Sequence, residues 1–321
     1  MGDSYQSLVP KEYASFTILE YLSKKFSYHS AEDWEFLVMG DRLSVNGNIV
    51  SKDFVLKTGD SIVYRPILGR ISEPTVDKEF EILKETEDFL FISKPGNLPV
   101  HPAGRYRTQT LLSFLEIKYQ KLFPVHRLDR ETSGVIIFAK NETARASLQK
   151  KFESREVEKK YLAIVRGKFT ERISLSGFIG RDANSVIRKK QIFRMKEFEN
   201  SKTSISKFYP LVWNQNLDLS LVGIRLETGR IHQIRANCLF LGHPILGDKM
   251  YGDRESIFLD FINQGESESL LNELGHFRQA LHSYSISYFD DSIGETISVV
   301  CPLHHDLSIY FPDYKDYVPS F

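Results

Sequence analysis

A short apolar run, residues 135–139, directly follows a cluster of charged side chains. From Phe123 to Lys140 the chain reads FPVHRLDRETSGVIIFAK. The run VIIFA is continuous, β-branched and aromatic, and Gly134 and Lys140 bound it, so it predicts a buried strand. The charged cluster then lies in a loop at the end of a core strand, where a rigid element can hold a reactive group in place.

Residues 14–66 show the pattern of a small separate module. Helical periodicity begins after Thr17, a suitable N-cap, and residues 33–39 predict a second helix. Residues 43–50 alternate apolar and polar around Asn46-Gly47, which is the sequence signal of a hairpin. Residues 59–64 predict a turn and a closing strand, and residues 67–79, which lack periodicity, predict a linker.

Residues 80–312 predict a second, larger domain. The pattern predicts strands at 80–83 and 89–93, an amphipathic helix at 110–115, and a helix at 141–156 with Asn141 as its N-cap. Residues 159–167 predict a further strand, which the intervening helix can return alongside the strand at 135–139. Residues 280–284 and 301–303 predict core strands.

Composition places the chain among ordinary globular proteins. Of its 321 residues 41% are hydrophobic and 26% are charged, and this length favours two domains. The first residues carry no signal-peptide pattern and no apolar stretch approaches a membrane span, so we expect a cytoplasmic protein without membrane association. Cys238 and Cys301 form no CxxC pair, which argues against a disulfide framework and a thiolate zinc site.

Charge is unevenly distributed, although the formal net charge is zero. Residues 140–200 contain 16 Lys and Arg against 8 Asp and Glu, a balance of +8, whereas residues 253–321 contain 3 against 12, a balance of −9. Such segregation can supply a basic face for a polyanion. The alternative, two solvated faces that contact no polyanion, stays open.

The charged cluster resembles the HRLDxxTSG signature of the RluA-type pseudouridine synthases. The matching residues are His126-Arg127-Leu128-Asp129 and Thr132-Ser133-Gly134. Four further segments resemble the family's KPxGLxVHP, KxYxAxVxG, TGRxHQIR and GHPIxGDxxYG motifs, and they are residues 94–102, 159–167, 228–235 and 242–252. The resemblance implies an α+β pseudouridine synthase fold, in which helices and loops flank a mixed, mainly antiparallel central sheet.

The resemblance also implies the site residues. The catalytic nucleophile of the family corresponds to Asp129, the aromatic residue of the uridine pocket to Tyr161, and the ion-pair partner of the nucleophile to Arg235. Arg127 corresponds to the arginine that fills the space left by a flipped uridine. We expect the remaining substrate contacts to come from His126, Arg230, His232 and Gln233.

The segment around Arg235 also makes a structural prediction. If Thr228-Gly229 caps a helix, then Ile231, Ile234 and Cys238 face the core, and His232 lies near Arg235 on the next face. Gly242 is then expected to end that helix.

The N-terminal module resembles the S4-type RNA-binding module that often precedes this catalytic domain. The second helix of that module is usually basic, whereas Glu32, Asp33 and Glu35 make it acidic here. We therefore expect the fold to be kept, and RNA binding by the module stays open.

The implied reaction is the isomerisation of uridine to pseudouridine in RNA. It needs no redox cofactor, group carrier or metal, and the chain has no dinucleotide-binding or phosphate-loop motif. We expect a monomer that acts on a stem-loop uridine of ribosomal or transfer RNA, because extruding a base from a loop costs less than from a duplex.

Other interpretations stay open. The chain is alternatively a catalytically silent RNA-binding or ribosome-assembly protein with the same fold. A hydrolase with Asp129 and Glu131 as acid and base is a further alternative. A metal site from His282, His304 and His305 is possible on composition alone, and the basic, irregular residues 177–198 are either a solvated hairpin or an RNA-contacting insertion.

Overall fold

The computed structural model describes residues 4–26, 29–65, 73–104, 106–252, 254–265 and 267–318. Two compact units divide the chain. The first comprises Met1–Thr75 and Pro102–Gln109, and the second comprises Val76–His101 and Thr110–Phe321. The first unit thus contains more than the predicted module of residues 14–66. Residues 67–72 of the predicted linker lie outside the described residues.

In its described part, the first unit is a four-stranded antiparallel sheet with two α-helices. The helices are α1 (Ile18–Lys25) and α2 (Ala31–Met39). The sheet has the order β1-β4-β2-β3, and its strands are β1 (Tyr5–Leu8), β2 (Leu43–Val45), β3 (Asn48–Ile49) and β4 (Ser61–Tyr64). The sequence did not predict β1, because its residues are mostly exposed and show no buried face.

Caps define the two helices of the first unit. The Thr17 side chain accepts a hydrogen bond from the Glu20 amide, and the Glu20 carboxylate accepts one from the Thr17 amide. Ser30 and Asp33 form the same capping box at the start of α2. One of the acidic residues of α2 therefore has a structural role.

The predicted hairpin joins β2 and β3. Asn46 and Gly47 at its turn have φ of +50° and +86°, which is the backbone that a two-residue hairpin turn requires.

In its described part, the second unit is an eleven-stranded mixed sheet flanked by helices, so the predicted α+β fold class is confirmed. Its strands are β5 (Glu81–Glu85), β6 (Phe89–Lys94), β7 (Phe123–Pro124), β8 (Ser133–Ala139), β9 (Glu158–Arg166), β10 (Ile173–Arg181), β11 (Gln191–Arg194), β12 (Lys202–Asn214), β13 (Leu219–Leu226), β14 (Leu281–Asp290) and β15 (Glu295–Val300). The order is β11-β10-β12-β13-β9-β14-β8-β6-β5, with β15 paired to β14 and β7 paired to β8. The pairing of β14 with β8 is parallel, and the others are antiparallel.

Strand β8 is buried along its whole length. Ile136 and Phe138 belong to one core cluster, whereas Val135 and Ile137 belong to a second cluster. Because alternate residues of a strand point to opposite faces, β8 is covered on both sides. This two-sided burial explains the continuous apolar run in the sequence.

Strand β14 lies between β8 and β9, so the prediction that these two strands are neighbours is wrong. Gly134 allows the close approach of β8 to β14, because its φ is +105° and a Cβ there would lie 2.2 Å from the Ser283 carbonyl oxygen. The spacing along the chain correctly indicated that β9 returns to the same sheet as β8. It could not indicate that β14, from much later in the chain, lies between them, because that pairing depends on non-local contacts.

The helices of the second unit flank this sheet. They are α3 (Leu111–Leu115), α4 (Glu142–Glu153), α5 (Gln233–Phe240), α6 (Ser256–Gln264), α7 (Glu268–Leu274) and α8 (His305–Ser308). Asn141 caps α4 as predicted, accepting a hydrogen bond from the Ala144 amide at 2.8 Å. Across the described ranges, every helix is too short or too polar to cross a membrane.

Helix α5 begins later than predicted. It starts at Gln233, and Ile231 lies before it with 59% of its surface exposed instead of facing the core. Ile234 and Cys238 are buried as predicted, and Gly242, with φ of +79°, follows the end of the helix. The later start has a local cause, because the Gln233 side chain binds the backbone before it in a non-helical turn.

Residues 177–198 contain a hairpin, which was one of the two alternatives: 177–181 and 191–194 pair as parts of β10 and β11, and residues 182–190 form the connecting loop. The rings of Phe193 and Phe198 pack against Gly177 and Gly180. Because glycine has no side chain, the alternation of apolar and polar residues that marks a strand is interrupted at these two positions. Cys301 and Leu303 are buried, but they follow β15 and lie outside any strand.

Candidate active site

The loop between β7 and β8 carries Asp129, and hydrogen bonds hold its backbone in place. The Arg130 carbonyl accepts hydrogen bonds from Lys94 Nζ at 3.0 Å and from the Leu98 amide at 3.1 Å. The Thr132 amide donates to the Asp129 carbonyl at 3.1 Å. These bonds restrict the backbone of the loop, and they therefore fix the point from which the Asp129 side chain extends.

Arg235 joins Asp129 to a second carboxylate, Asp248. Its Nη1 donates to Asp129 Oδ2 at 2.8 Å, while its Nε and Nη2 donate to the two oxygens of Asp248 at 2.7 and 2.8 Å. The Asp248 side chain has no exposed surface, and its Oδ1 also accepts the amides of Met250 and Tyr251 at 3.0 Å each. Asp248 thus anchors Arg235, which presents one N–H to the partly exposed Asp129.

The two oxygens of Asp129 have different surroundings. Gln279 Nε2 donates to Thr132 Oγ1 at 2.6 Å and lies 3.5 Å from Asp129 Oδ2, the oxygen that also binds Arg235. On the described part of the chain no hydrogen bond ends on Oδ1, and His232 Nε2 lies 3.8 Å from it. Oδ1 is therefore the oxygen that can meet a substrate.

Neighbouring groups keep Asp129 ionised. Burial alone would raise the pKa of Asp129, but the Arg235 charge and the hydrogen bonds from Arg235 and Gln279 lower it below the ordinary value of 3.8. The pKa of His232 is lowered to about 4, first by burial and then by the Arg235 charge. At neutral pH the site thus contains a carboxylate beside a neutral imidazole.

His232 has an unusual backbone conformation. Its φ is +55°, in the left-handed region that residues other than glycine rarely adopt. Its Nδ1 lies 3.0 Å from the Tyr251 hydroxyl, which accepts a hydrogen bond from the Gln191 amide at 2.7 Å. The guanidinium of Arg235 lies 4.8 Å from the centre of the Tyr251 ring. The arrangement turns the imidazole of His232 toward Asp129.

These side chains line an open cleft. Its polar lining includes Arg127, Asp129, Arg230, His232 and Arg235, and its apolar lining includes Leu226, Ile234 and Leu281. Tyr161 also lines it and is 8% exposed. Burial raises the pKa of the Tyr161 phenol to about 12, so the hydroxyl is protonated at neutral pH.

The structure therefore brings together most of the predicted site residues. Arg127 and Arg230 are exposed where they line the cleft. Arg230 Nε donates to the Thr203 carbonyl at 3.0 Å, which ties this side chain to β12.

Gln233 lines the cleft but has its amide fully bound by the protein. Its Oε1 accepts hydrogen bonds from Thr228 Oγ1 at 3.0 Å and from the Arg230 amide at 2.9 Å. Its Nε2 donates to the Ile205 carbonyl at 3.1 Å and to Ser206 Oγ at 2.8 Å. Gln233 thus holds the turn before α5 against β12.

His126 lies outside the set of residues that line the cleft. Its Nε2 accepts a hydrogen bond from the Ile137 amide at 3.2 Å, and its ring stacks on Phe152 with 5.1 Å between centroids. Burial, followed by the nearby Lys159 charge, lowers the pKa of His126 to about 3. Its position supports a structural role rather than the predicted substrate contact.

Sequence reasoning assigned no role to three residues of the site, which are Asp248, Tyr251 and Gln279. Asp248 and Tyr251 lie in the GHPIxGDxxYG segment, where an acidic residue between glycine-rich turns was the available signal. Gln279 carried no signal, because it lies two residues before β14 and outside the segments that match a motif.

Two alternatives from the sequence find no support. Glu131 Oε1 accepts hydrogen bonds from Lys249 at 3.0 Å and Arg130 at 2.8 Å, so it is not a free partner of Asp129 for hydrolysis. His282 uses both ring nitrogens, with Ser133 Oγ at 2.9 Å and the Cys301 carbonyl at 3.0 Å. Counting described residues alone, no three His, Cys, Asp or Glu side chains are grouped to hold a metal ion.

The chain is similar to proteins of one family. The profile of the family described as RNA pseudouridylate synthase matches residues 88–239. The uncharacterized RNA pseudouridine synthase YhcT of Bacillus subtilis is 31% identical over 300 residues, covering 91% of this chain and 90% of the relative. Ribosomal large subunit pseudouridine synthase C of Buchnera aphidicola is 31% identical over 288 residues, covering 87% of this chain and 86% of the relative.

Solved structures show the same similarity. Human RNA pseudouridylate synthase domain containing 1 matches with a TM-score of 0.57 and 28% identity, covering 72% of this chain and 86% of the human chain. The matched family profile spans Asp129, Tyr161 and Arg235, the residues that the cleft brings together.

Proposed function

The chain belongs to the RNA pseudouridylate synthase family, and from this premise we propose that Asp129 is the nucleophile with which it isomerises specific uridines of structured RNA. The observation that carries the proposal is the ion pair of Asp129 Oδ2 with Arg235 Nη1 at 2.8 Å, which leaves Oδ1 turned to the cleft. An ionised, held carboxylate with one available oxygen is what nucleophilic attack requires.

The reaction rearranges atoms within one nucleotide. The bond from ribose C1′ to base N1 breaks and a bond from C1′ to C5 forms, while C5 loses a proton and N1 gains one. No electrons are exchanged with a cofactor. Because the detached ring must rotate before it reattaches, the base has to be retained in the cleft until the new bond forms.

Asp129 Oδ1 is proposed to attack either ribose C1′ or base C6. Both routes need the ionised carboxylate, whose pKa Arg235 holds below 3.8 despite burial. Arg235 in turn depends on Asp248, which binds it through two hydrogen bonds.

Tyr161 is proposed to pack its ring against the uracil base and to take part in removing the C5 proton. It lies on β9 in the cleft, near the apolar side chains of Leu226, Ile234 and Leu281. Since the pKa of its phenol is about 12, the hydroxyl can accept a proton only as it passes its own proton on. Tyr161 is therefore a relay rather than a free base.

Arg127 and Arg230 are proposed to contact the RNA around the flipped uridine, since both are exposed and line the cleft. A ribosomal or transfer RNA stem-loop is the proposed target, because base extrusion costs a few kcal/mol in a duplex and less in a loop. The name of the Buchnera relative favours ribosomal RNA. A cytoplasmic monomer stays a prediction.

Residues 14–66 are proposed to form an S4-like module that precedes the catalytic domain of residues 80–312. The order of helix, helix, hairpin and strand supports this proposal. Its RNA affinity is proposed to be weak, because Glu32 and Glu35 in α2 are exposed or half-exposed and oppose phosphate binding.

Tritium release tests the proposal. Total RNA labelled with [5-³H]uridine is prepared from a strain that lacks this gene and is incubated with the full-length protein. We expect wild type to release tritium as C5 loses its proton, and Asp129→Asn and Asp129→Ala to release none. Asp313→Asn, at an exposed aspartate, is the matched control and is expected to match wild type.

Full activity of either Asp129 variant rejects the proposed nucleophile. Equal rescue of the deletion strain by wild type and Asp129→Asn, with no release by wild type, supports a silent RNA-binding protein instead.

A further inference from the structure

The neighbours of His232 determine which of its ring nitrogens carries the proton. The Tyr251 hydroxyl accepts a hydrogen bond from the Gln191 amide at 2.7 Å and lies 3.0 Å from His232 Nδ1. Tyr251 is 0% exposed, so its own O–H needs an acceptor inside the protein. Among the described residues, the acceptor is Nδ1 of His232. A ring nitrogen that accepts a hydrogen bond carries no proton, so the proton of the neutral imidazole is on Nε2.

This Nε2–H lies beside the available oxygen of Asp129. The distance from Nε2 to Oδ1 is 3.8 Å, whereas Arg235 and Gln279 contact Oδ2. The distance is too long for a hydrogen bond, so the imidazole leaves Oδ1 free. The base of a uridine that is attacked through Oδ1, at C1′ or at C6, therefore comes near the same N–H.

We propose that His232 donates a hydrogen bond from Nε2–H to a carbonyl oxygen of the uracil ring as negative charge develops there, and that Tyr251 is the positioning residue that keeps His232 in this tautomer. This inference rests on the proposed function. It holds for either point of attack. Displacement at C1′ leaves a uracil anion, and addition at C6 gives an enolate, so negative charge reaches a carbonyl oxygen in both routes. A donor aimed at developing charge lowers the barrier.

Arg235 is less suited to this task than His232. Its Nε, Nη1 and Nη2 already donate to Asp129 and Asp248. A protonated His232 would bind Oδ1 and compete with attack, but burial and the Arg235 charge hold the pKa of His232 at about 4. His232 has a left-handed backbone, with φ of +55°, which is unfavourable in conformational energy for a residue other than glycine. The surrounding structure maintains this conformation, which directs the ring toward Asp129.

The tautomer can be measured without any RNA. Long-range ¹H–¹⁵N correlation spectra of uniformly ¹⁵N-labelled protein at pH 7 distinguish a protonated from an unprotonated ring nitrogen. The His232 signals are assigned by their disappearance in His232→Gln. We expect a protonated Nε2 and an unprotonated Nδ1 in wild type, and a mixture of tautomers in Tyr251→Phe. A protonated Nδ1 in wild type, or an unchanged tautomer in Tyr251→Phe, overturns the role of Tyr251.

Kinetics test the donor itself by comparing Tyr251→Phe in two backgrounds. The side-chain amide nitrogen of glutamine can take the place of Nε2 and donates without help from Tyr251. In single-turnover tritium release, we expect Tyr251→Phe to lower the rate about 10-fold in the wild-type background and less than about 2-fold in His232→Gln. His232→Leu, which has no donor, is expected to lose about 100-fold.

Equal losses from Tyr251→Phe in the two backgrounds mean that Tyr251 acts through the fold and overturn the inference, as does full activity of His232→Leu. Tyr251→Phe retains the ring that packs against Arg235, and thermal unfolding checks that it folds. Failure of the proposed function can be distinguished from failure of this inference. Tritium release by Asp129→Asn would reject the proposed nucleophile, whatever the tautomer of His232 is.

Discussion

Arg235 binds Asp248 through two hydrogen bonds, at 2.7 and 2.8 Å, and binds Asp129 through one. The Asp248 side chain is 0% exposed and that of Asp129 is 29% exposed. The buried Asp248 carboxylate therefore fixes the position of the Arg235 guanidinium. The guanidinium in turn fixes the Asp129 carboxylate, which faces the cleft. Asp248 lies outside the set of residues that line the cleft, whereas Asp129 belongs to it.

Replacing the buried carboxylate is expected to destabilise the fold. Asp248→Asn keeps the shape of the side chain but leaves the Arg235 charge paired with Asp129 alone, and breaking a buried pair costs about 3–5 kcal/mol. Urea unfolding measures the free energy of unfolding. Asp129→Asn is the matched control, and we expect a smaller loss because that carboxylate is partly exposed. Equal losses in the two variants contradict this division of roles.

The acid limb of the pH–rate profile is expected to depend on Arg235. In wild type the pKa of Asp129 lies below 3.8, so kcat/KM should not fall through Asp129 protonation until the pH is below that value. In Arg235→Gln the charge that most strongly opposes the effect of burial is gone, so the pKa of Asp129 rises and the limb should move up by at least about one pH unit. Tritium release between pH 4 and about 8 measures the limb. Arg172→Gln, at an exposed arginine, is the control, and an unmoved limb in Arg235→Gln speaks against the pairing.

His126 is expected to influence stability rather than RNA contact. Its pKa is lowered from 6.5 to about 3, so the unfolded chain takes up a proton below pH 6.5 that the folded chain does not. The resulting stability is present above pH 6.5 and is lost as the pH falls toward 3. In His126→Gln the free energy of unfolding should fall less steeply over this range, by up to about 1.4 kcal/mol per pH unit. Urea unfolding at several pH values measures both slopes, and the other buried histidines contribute equally to each protein. Parallel slopes refute the prediction.

The basic hairpin of β10 and β11 is expected to contact RNA through exposed cations. Arg188 and Lys189 are exposed in its connecting loop. Replacing both by glutamine should weaken binding and reduce the slope of log Kd against log salt by roughly 1.4–1.8, because each phosphate contact contributes about 0.7–0.9. Filter binding of total RNA at several salt concentrations measures this slope. The control replaces exposed Lys118 and Lys315, and the same reduction there implies a non-specific charge effect.

Much of the local structure could be predicted from the sequence. The apolar run of β8, the cap of α4 at Asn141 and the Asn46-Gly47 turn are determined by neighbouring residues, because burial on two faces, capping and positive φ leave a direct pattern. The late start of α5 was missed because the Gln233 side chain replaces a helical turn by hydrogen bonds to its own chain.

The sequence by itself predicted Asp129 and Arg235 as a nucleophile and its ion-pair partner, because the HRLD and HQIR segments resemble family motifs, and these roles stay a proposal. The tertiary structure alone decided that Asp248 anchors Arg235, that His126 turns away from the cleft, and that Oδ1 rather than Oδ2 of Asp129 is available. The direction of a side chain depends on partners that are distant in the chain, such as Gln279 beside Asp129, and local sequence patterns carry no record of those partners.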